Sequence, residues 1–154
     1  MLNTAAIIRT ALLALACLLP LQAAAGGRYA LLIGNQAYEH AGTLRNTIND
    51  TTLLAQSFAA MGFEVDVITD TSQDALGEAI DGLAEKYGQA DAVAVYFSGH
   101  GLQKEGRNYL VPVDAKITSA ASIERETISM DSLIKVLKPF PVSMIFLDAC
   151  RNNP

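Results

Sequence analysis

Apolar residues fall in short runs, separated by stretches that carry helix and turn signals. Arg28-Tyr-Ala-Leu-Leu-Ile-Gly34 is an apolar run closed by glycine, and it predicts a buried strand. Gly34 to Thr43 reads as a loop. Asn49-Asp50 opens a predicted helix to Met61, with Leu53, Leu54, Ser57 and Phe58 on one face and Gly62 as its stop. Phe63 to Ile68 sets Phe63, Val65 and Val67 against Glu64 and Asp66, the alternation of a second strand. Thr71-Ser72 caps a helix expected to run through Tyr87, with Gly88 after it. Ala92 to Phe97 predicts a third strand, ending at Ser98-Gly99-His100-Gly101. Asn108 to Val113 predicts a short strand in a hairpin. Ser129 to Leu137 predicts a helix that ends before Pro139. Val142 to Leu147 is the fourth main strand, followed by Asp148-Ala149-Cys150.

Apolar strands that alternate with helices imply an α/β fold, with a mostly parallel sheet covered on both faces. Sites in such sheets form at the carboxyl ends of the strands. His100 and Cys150 are both expected just past such ends.

The first 25 residues do not fit this pattern. Met1 to Ala25 carries one charge, Arg9. An apolar stretch from Ala11 to Leu21 follows, interrupted only by Pro20, and then Gln22-Ala23-Ala24-Ala25-Gly26. A basic start, a short apolar region and an A-x-A site predict a secretory signal peptide cleaved after Ala25. The apolar run falls short of the roughly 20 residues needed to span a bilayer, so no stable membrane anchor is expected. The expected location is secreted or periplasmic. Cleavage would remove Cys17, read as filler of the apolar region, and leave residues 26–154 with Cys150 alone. A lone cysteine in an oxidising compartment is buried, paired with another chain, or a free thiol with a purpose.

Length and composition narrow the choice further. A chain of 154 residues holds one domain at about 100–200 residues per domain. With 51% hydrophobic and 18% charged residues it can bury a core. Eleven Lys and Arg stand against 16 Asp and Glu, a net charge of −5, and like charges do not cluster, so a nucleic-acid partner is not expected. Two Cys and two His exclude a Cys/His-rich metal cluster. There is no P-loop, no G-x-G-x-x-G and no G-x-S-x-G elbow, which removes support for nucleotide binding and for a serine hydrolase.

His100 and Cys150 together suggest nucleophilic chemistry. A thiolate is the working form of cysteine, and a neighbouring imidazole takes its proton and stabilises the ion pair. The same imidazole can return the proton to a leaving amine. Gly99 and Gly101 permit tight backbone and leave room beside the histidine. The N–H groups of Gly101 and Cys150 could form an oxyanion hole. Taken singly, a cysteine after a strand is usually a buried structural residue, and a histidine in a loop is usually solvated. The 50-residue spacing is that of a caspase signature, in which the histidine lies about 50 residues upstream of the cysteine.

Three segments, Arg28-Tyr-Ala-Leu-Leu-Ile-Gly-Asn35, Tyr96-Phe-Ser-Gly-His-Gly101 and Phe146-Leu-Asp-Ala-Cys-Arg-Asn-Asn-Pro154, resemble the large-subunit domain of the caspase-like cysteine peptidases. The resemblance is closest to bacterial metacaspase-like members and covers Arg28 to Pro154. It implies a three-layer αβα sandwich and a Cys/His dyad, with His100 and Cys150 as the catalytic pair, Gly101 as an oxyanion donor, and a protein or peptide substrate.

The resemblance also bears on specificity. Caspases cut after Asp, metacaspases after Arg or Lys. Asp148, two residues before Cys150, stands where metacaspases have an acidic pocket residue, and Ser98 and Asp50 resemble further pocket positions. A carboxylate there suits a guanidinium or an ammonium group. Against this stands Arg45, close to where caspases carry an arginine that binds a substrate carboxylate. Asp50 reads equally well as a helix cap, and Ser98 as a loop hydrogen-bonding residue. Some metacaspases need calcium, and Asp114 resembles one of its ligands. Glu124 and Glu126 match the remaining acidic positions only loosely, so calcium is left without support and no cofactor is expected.

The caspase fold normally continues for two more strands beyond the cysteine. The strand before Cys150 is therefore expected as an exposed edge, open to pairing with another chain. A fragment of a longer protein, a partner chain that supplies the edge and a poorly active remnant all fit. A non-catalytic caspase-fold interaction module is the alternative to a peptidase.

Overall fold

The apolar runs lie side by side in one sheet. The computed structural model describes residues 26–152, with side chains through residue 149. The expected signal peptide, residues 1–25, lies outside the described residues. Strand β1 (Arg28–Gly34) pairs in parallel with β2 (Glu64–Thr69) on one edge and β3 (Ala92–Lys104) on the other. Strand β6 (Val142–Asn152) runs parallel along the far edge of β3. Strand β4 (Arg107–Leu110) folds back antiparallel on Gly101–Lys104, and the short β5 (Ile128–Ser129) pairs antiparallel with β4.

Helices cover both faces, as a mostly parallel sheet requires. Helix α1 (Thr47–Ala60) lays Phe58 on Ala30, Leu32, Ala94 and Tyr96. On the other face α2 (Gln73–Asp81), α3 (Leu83–Tyr87) and α5 (Met130–Leu137) place Leu76, Ile80, Leu83, Leu133 and Leu137 on Leu31, Ile33, Val93, Val95 and Phe97. The three-layer αβα sandwich is thus formed. Leu133 is wholly buried and its helix neighbour Ile134 is 53% exposed. Leu133→Ala is expected to cost about 2–5 kcal/mol in urea unfolding. Ile134→Ala is expected to stay within about 0.5 kcal/mol.

Several elements differ from their sequence expectation. Strand β3 does not stop at Phe97, nor β6 at Leu147, because β4 and β6 supply ladder partners further on. His100 and Cys150 therefore lie within strands rather than past their ends. The hairpin is tighter than the Asn108–Val113 expectation. Lys104 faces Arg107, and the intervening Glu105 and Gly106 have φ of 52° and 79°, the two positive values of a type I′ turn.

Helix α1 starts at Thr47, so Asp50 sits in its first turn, where a carboxylate suits the helix dipole, and not at the cap. Its buried face is Thr47, Thr51 and Phe58, while Leu53 is 61% exposed. The helix approaches β1 so closely that a Cβ at Gly34 would lie 2.6 Å from Thr51 Oγ1. Only small residues fit at that crossing, and they set the face. The expected single helix to Tyr87 is divided at Gly82, a poor helix former. Ser72 does cap it, accepting from Ala75 N at 3.3 Å. Helix α4 (Ala120–Glu126) arises where no element was expected, entered through a reciprocal Ser119–Ser122 cap. It seals a second core of Tyr38, Leu102, Tyr109, Val111, Val113 and Ile123.

Among the described residues β6 pairs only with β3. Val142, Phe146 and Leu147 stay 44–50% exposed on it. A strand with the apolar character of a sheet interior thus stands at an edge, where unpaired backbone invites a further strand.

Candidate active site

His100 sits at a gap in the sheet. Strand β1 pairs with β3 only as far as Ser98, whose carbonyl accepts from Asn35 N at 2.9 Å. Pairing with β4 begins at Gly101, and Val111 N donates to His100 O at 3.1 Å. Between these, the His100 N–H faces no strand. The Tyr38 hydroxyl fills the gap, accepting from His100 N at 2.7 Å and donating to Val111 O at 3.1 Å. Burial pushes the Tyr38 phenol up to about 12, against the opposing pull of its hydrogen bond with the His100 backbone. It therefore stays neutral and can both donate and accept.

The Tyr38 ring lies beside the imidazole, with centroids 4.4 Å apart and planes tilted by 55°. This explains Gly99 differently from the sequence reading: a Cβ there would lie 2.5 Å from the Tyr38 hydroxyl oxygen. The glycine makes room for tyrosine.

His100 Nε2 lies 2.6 Å from Gly42 O. A carbonyl only accepts, so Nε2 carries the proton and Nδ1 is the basic nitrogen of the neutral ring. Gly42 belongs to a loop that is firmly held. Asp70, at φ 49°, accepts from Gln36 N at 2.7 Å and Ala37 N at 2.8 Å. Buried Asn35 accepts from Thr71 N at 2.9 Å and Thr71 Oγ1 at 3.1 Å. Glu39 N donates to Val113 O and Leu44 N to Gln36 O. A backbone carbonyl has no signature in sequence, so the partner of His100 could not be read there.

Cys150 is the register partner of His100. Parallel neighbours lie about 4.8 Å apart, which brings the two residues together without any loop. The pairing continues as Gly101↔Arg151 and Leu102↔Asn152. Gly101 and Cys150, the expected oxyanion donors, are thus residues of a paired ladder, and their N–H groups can serve a substrate only where the strands part.

Two residues earlier, Asp148 faces Ser98 in register. Asp148 Oδ2 accepts from Ser98 Oγ and from the Tyr96 hydroxyl, each at 3.3 Å. An open groove of about 390 Å³ runs here, lined by Asp50, Leu53, Leu54, Ser57, Tyr96 and Asp148. Burial raises the Tyr96 phenol, its hydrogen bond with Ser98 opposes this, and the charges of Asp148 and Asp50 add to the rise. Asp148 and Asp50 line the groove together, while buried Ser98 touches it only through its hydrogen bond to Asp148. Tyr96 was missed, although its place two residues before Ser98 puts it on the same strand face. Arg45 is exposed and does not line this groove.

The acidic residues weighed for calcium have other partners. Asp114 Oδ1 accepts from Gln73 N at 2.9 Å, at the start of α2. Glu124 pairs with Lys104 at 3.2 Å and Glu126 with Arg125 at 3.1 Å. The backbone N–H of Lys116, then Arg125, hold the Glu126 carboxyl below its ordinary value. Among the described residues no three His, Cys, Asp or Glu side chains gather as a metal site would need. No described helix is long and apolar enough to cross a membrane.

Comparison with known proteins places the chain in a family. The chain is 25% identical over 134 residues to the human mucosa-associated lymphoid tissue lymphoma translocation protein 1. The match covers 86% of this chain and 16% of that protein, and the mouse homolog matches to the same extent. The chain thus spans under a fifth of the length of the curated relatives it matches. The caspase-domain model of peptidase family C14 matches residues 27–154. With that match across most of its sequence, and the sandwich to go with it, the chain belongs to the caspase-domain family of peptidases.

Proposed function

We propose that the chain is a cysteine endopeptidase that cuts after Arg or Lys with His100 and Cys150 as its dyad. The observation that carries this reading is the register pair His100↔Cys150, two residues along the strands from Asp148 and a groove holding two carboxylates. His100 Nδ1 accepts the thiol proton, and the thiolate attacks the scissile carbonyl carbon. The imidazolium protonates the leaving amine as the peptide C–N bond breaks. Water, deprotonated by the same nitrogen, then releases the acyl group as a carboxylic acid. Oxyanion stabilisation by Gly101 and Cys150 N–H groups requires β3 and β6 to part locally. A guanidinium or ammonium group in the groove meets Asp148 from one side and Asp50 from the other. The exposed edge of β6 is a place where a further strand could add. The signal over residues 1–25 supports a secreted or periplasmic location.

The test is hydrolysis of fluorogenic peptides with Arg, Lys or Asp at the cleavage position, with and without calcium, beside a Cys150→Ala control. Cleavage after Arg or Lys, lost in the control, is expected. Cleavage after Asp would overturn the basic specificity and return attention to Arg45. Silence on every peptide would favour a non-catalytic interaction module, which would have no use for the dyad.

A further inference from the structure

We propose that Tyr38 is a positioning residue for His100, its hydroxyl closing the ladder gap between β1 and β4 and its ring holding the imidazole on Gly42. The role in turnover rests on the reading of His100 as general base; the positioning itself does not. Three observations converge on the one side chain. Its hydroxyl is the acceptor for the His100 N–H, which has no strand opposite it. The same hydroxyl donates to Val111 O, tying the histidine to the segment that follows β4. Its ring packs on the imidazole, and Gly99 is open to admit it. Tyr38 reaches this place across 62 residues of sequence, from the same loop that carries Gly42. The tyrosine therefore couples two hydrogen bonds of His100, at backbone N and at Nε2, to one loop. Without the hydroxyl the His100 backbone loses its anchor, and the ring is free to exchange Nε2 for Nδ1 on the Gly42 carbonyl. Nδ1 would then carry the proton for part of the time, and the base would be absent for that part.

Tyr38→Phe keeps the ring and removes the hydroxyl. It is expected to lower kcat about tenfold, short of the ~100-fold that a 1 Å misplacement can cost, with KM unchanged. A second readout needs no activity. The chain has two histidines, so His40→Gln assigns the His100 ring by NMR. In the Cys150→Ala protein the neutral His100 ring should be the Nε2–H tautomer, and Tyr38→Phe should shift it to a mixture. An unshifted tautomer overturns the proposal, whatever happens to kcat, and so does an unchanged kcat. A shifted tautomer in a chain that hydrolyses no peptide upholds the positioning and sinks the peptidase reading instead. Should Tyr38→Phe fail to fold, amide exchange on the unaltered chain decides. Protection of the His100 N–H at the level of Phe97 supports the hydroxyl anchor, and exchange at the rate of Gly42 refutes it.

Discussion

Cys150→Ala is expected to abolish peptide hydrolysis, and His100→Ala to lower kcat/KM by about 10²–10⁴-fold, the usual worth of a positioned acid–base group. The two losses are not expected to add, because in the proposed mechanism the thiolate and the imidazole act as one unit. Neither change should unfold the chain. His100 is half-buried, and its described side-chain hydrogen bond is to Gly42 O, at 2.6 Å. Its backbone bonds to Tyr38 and Val111 survive the substitution. Denaturation midpoints within the ordinary range for a half-buried truncation would therefore accompany the lost activity. Turnover in Cys150→Ala above the uncatalysed rate would remove the dyad from the mechanism.

The groove gives the second large effect. Asp148→Asn is expected to lower kcat/KM for Arg and Lys peptides about tenfold. A charge-assisted bond contributes about 1.5–3 kcal/mol, and Asp148 is exposed, which places the loss at the low end. Removing both carboxylates, as Asp50→Asn with Asp148→Asn, is expected to cost about a hundredfold, each 1.4 kcal/mol being a factor of ten. Peptides with a neutral residue at the cleavage position should be unaffected. The discrimination should also weaken as salt rises, since an open groove is screened. Equal losses for basic and neutral peptides would mean that Asp148 supports the strand rather than the substrate. Its hydrogen bonds with Ser98 and Tyr96 make that a real competitor, which the neutral peptides resolve.

The parts of this molecule that sequence reveals are those fixed by local pattern. The apolar runs at Arg28–Gly34 and Ala92–Phe97 became the sheet centre because strands buried on both faces must be apolar throughout, and the run at Val142–Leu147 became the strand beside them. Ser72 and Ser129 cap helices because a hydroxyl before the first turn meets an unpaired N–H. What sequence hides depends on partners from elsewhere. The extension of β3 to Lys104 is owed to β4 and β6, and polar residues such as Gln103 and Lys104 carry no strand signal of their own. The buried face of α1 is set by how close Gly34 lets it come.

The site divides in the same way. His100, Cys150 and Asp148 are side chains in short motifs and can be read directly. The Gly42 carbonyl is backbone, and Tyr38 is distant, so the groups that orient the histidine emerge only in three dimensions. Tyr96 lay in plain view within Tyr-Phe-Ser-Gly-His-Gly, and strand periodicity would have found it.

The most direct measurement is the rate of Cys150 alkylation by iodoacetamide against pH, read by peptide mass so that Cys17 is counted separately. An imidazole-activated thiol reacts well below pH 8, and His100→Ala returns it to the reactivity of an ordinary thiol ionising near 8.5. Reactivity that rises only above pH 8, and equally in both proteins, would contradict a working His100–Cys150 pair.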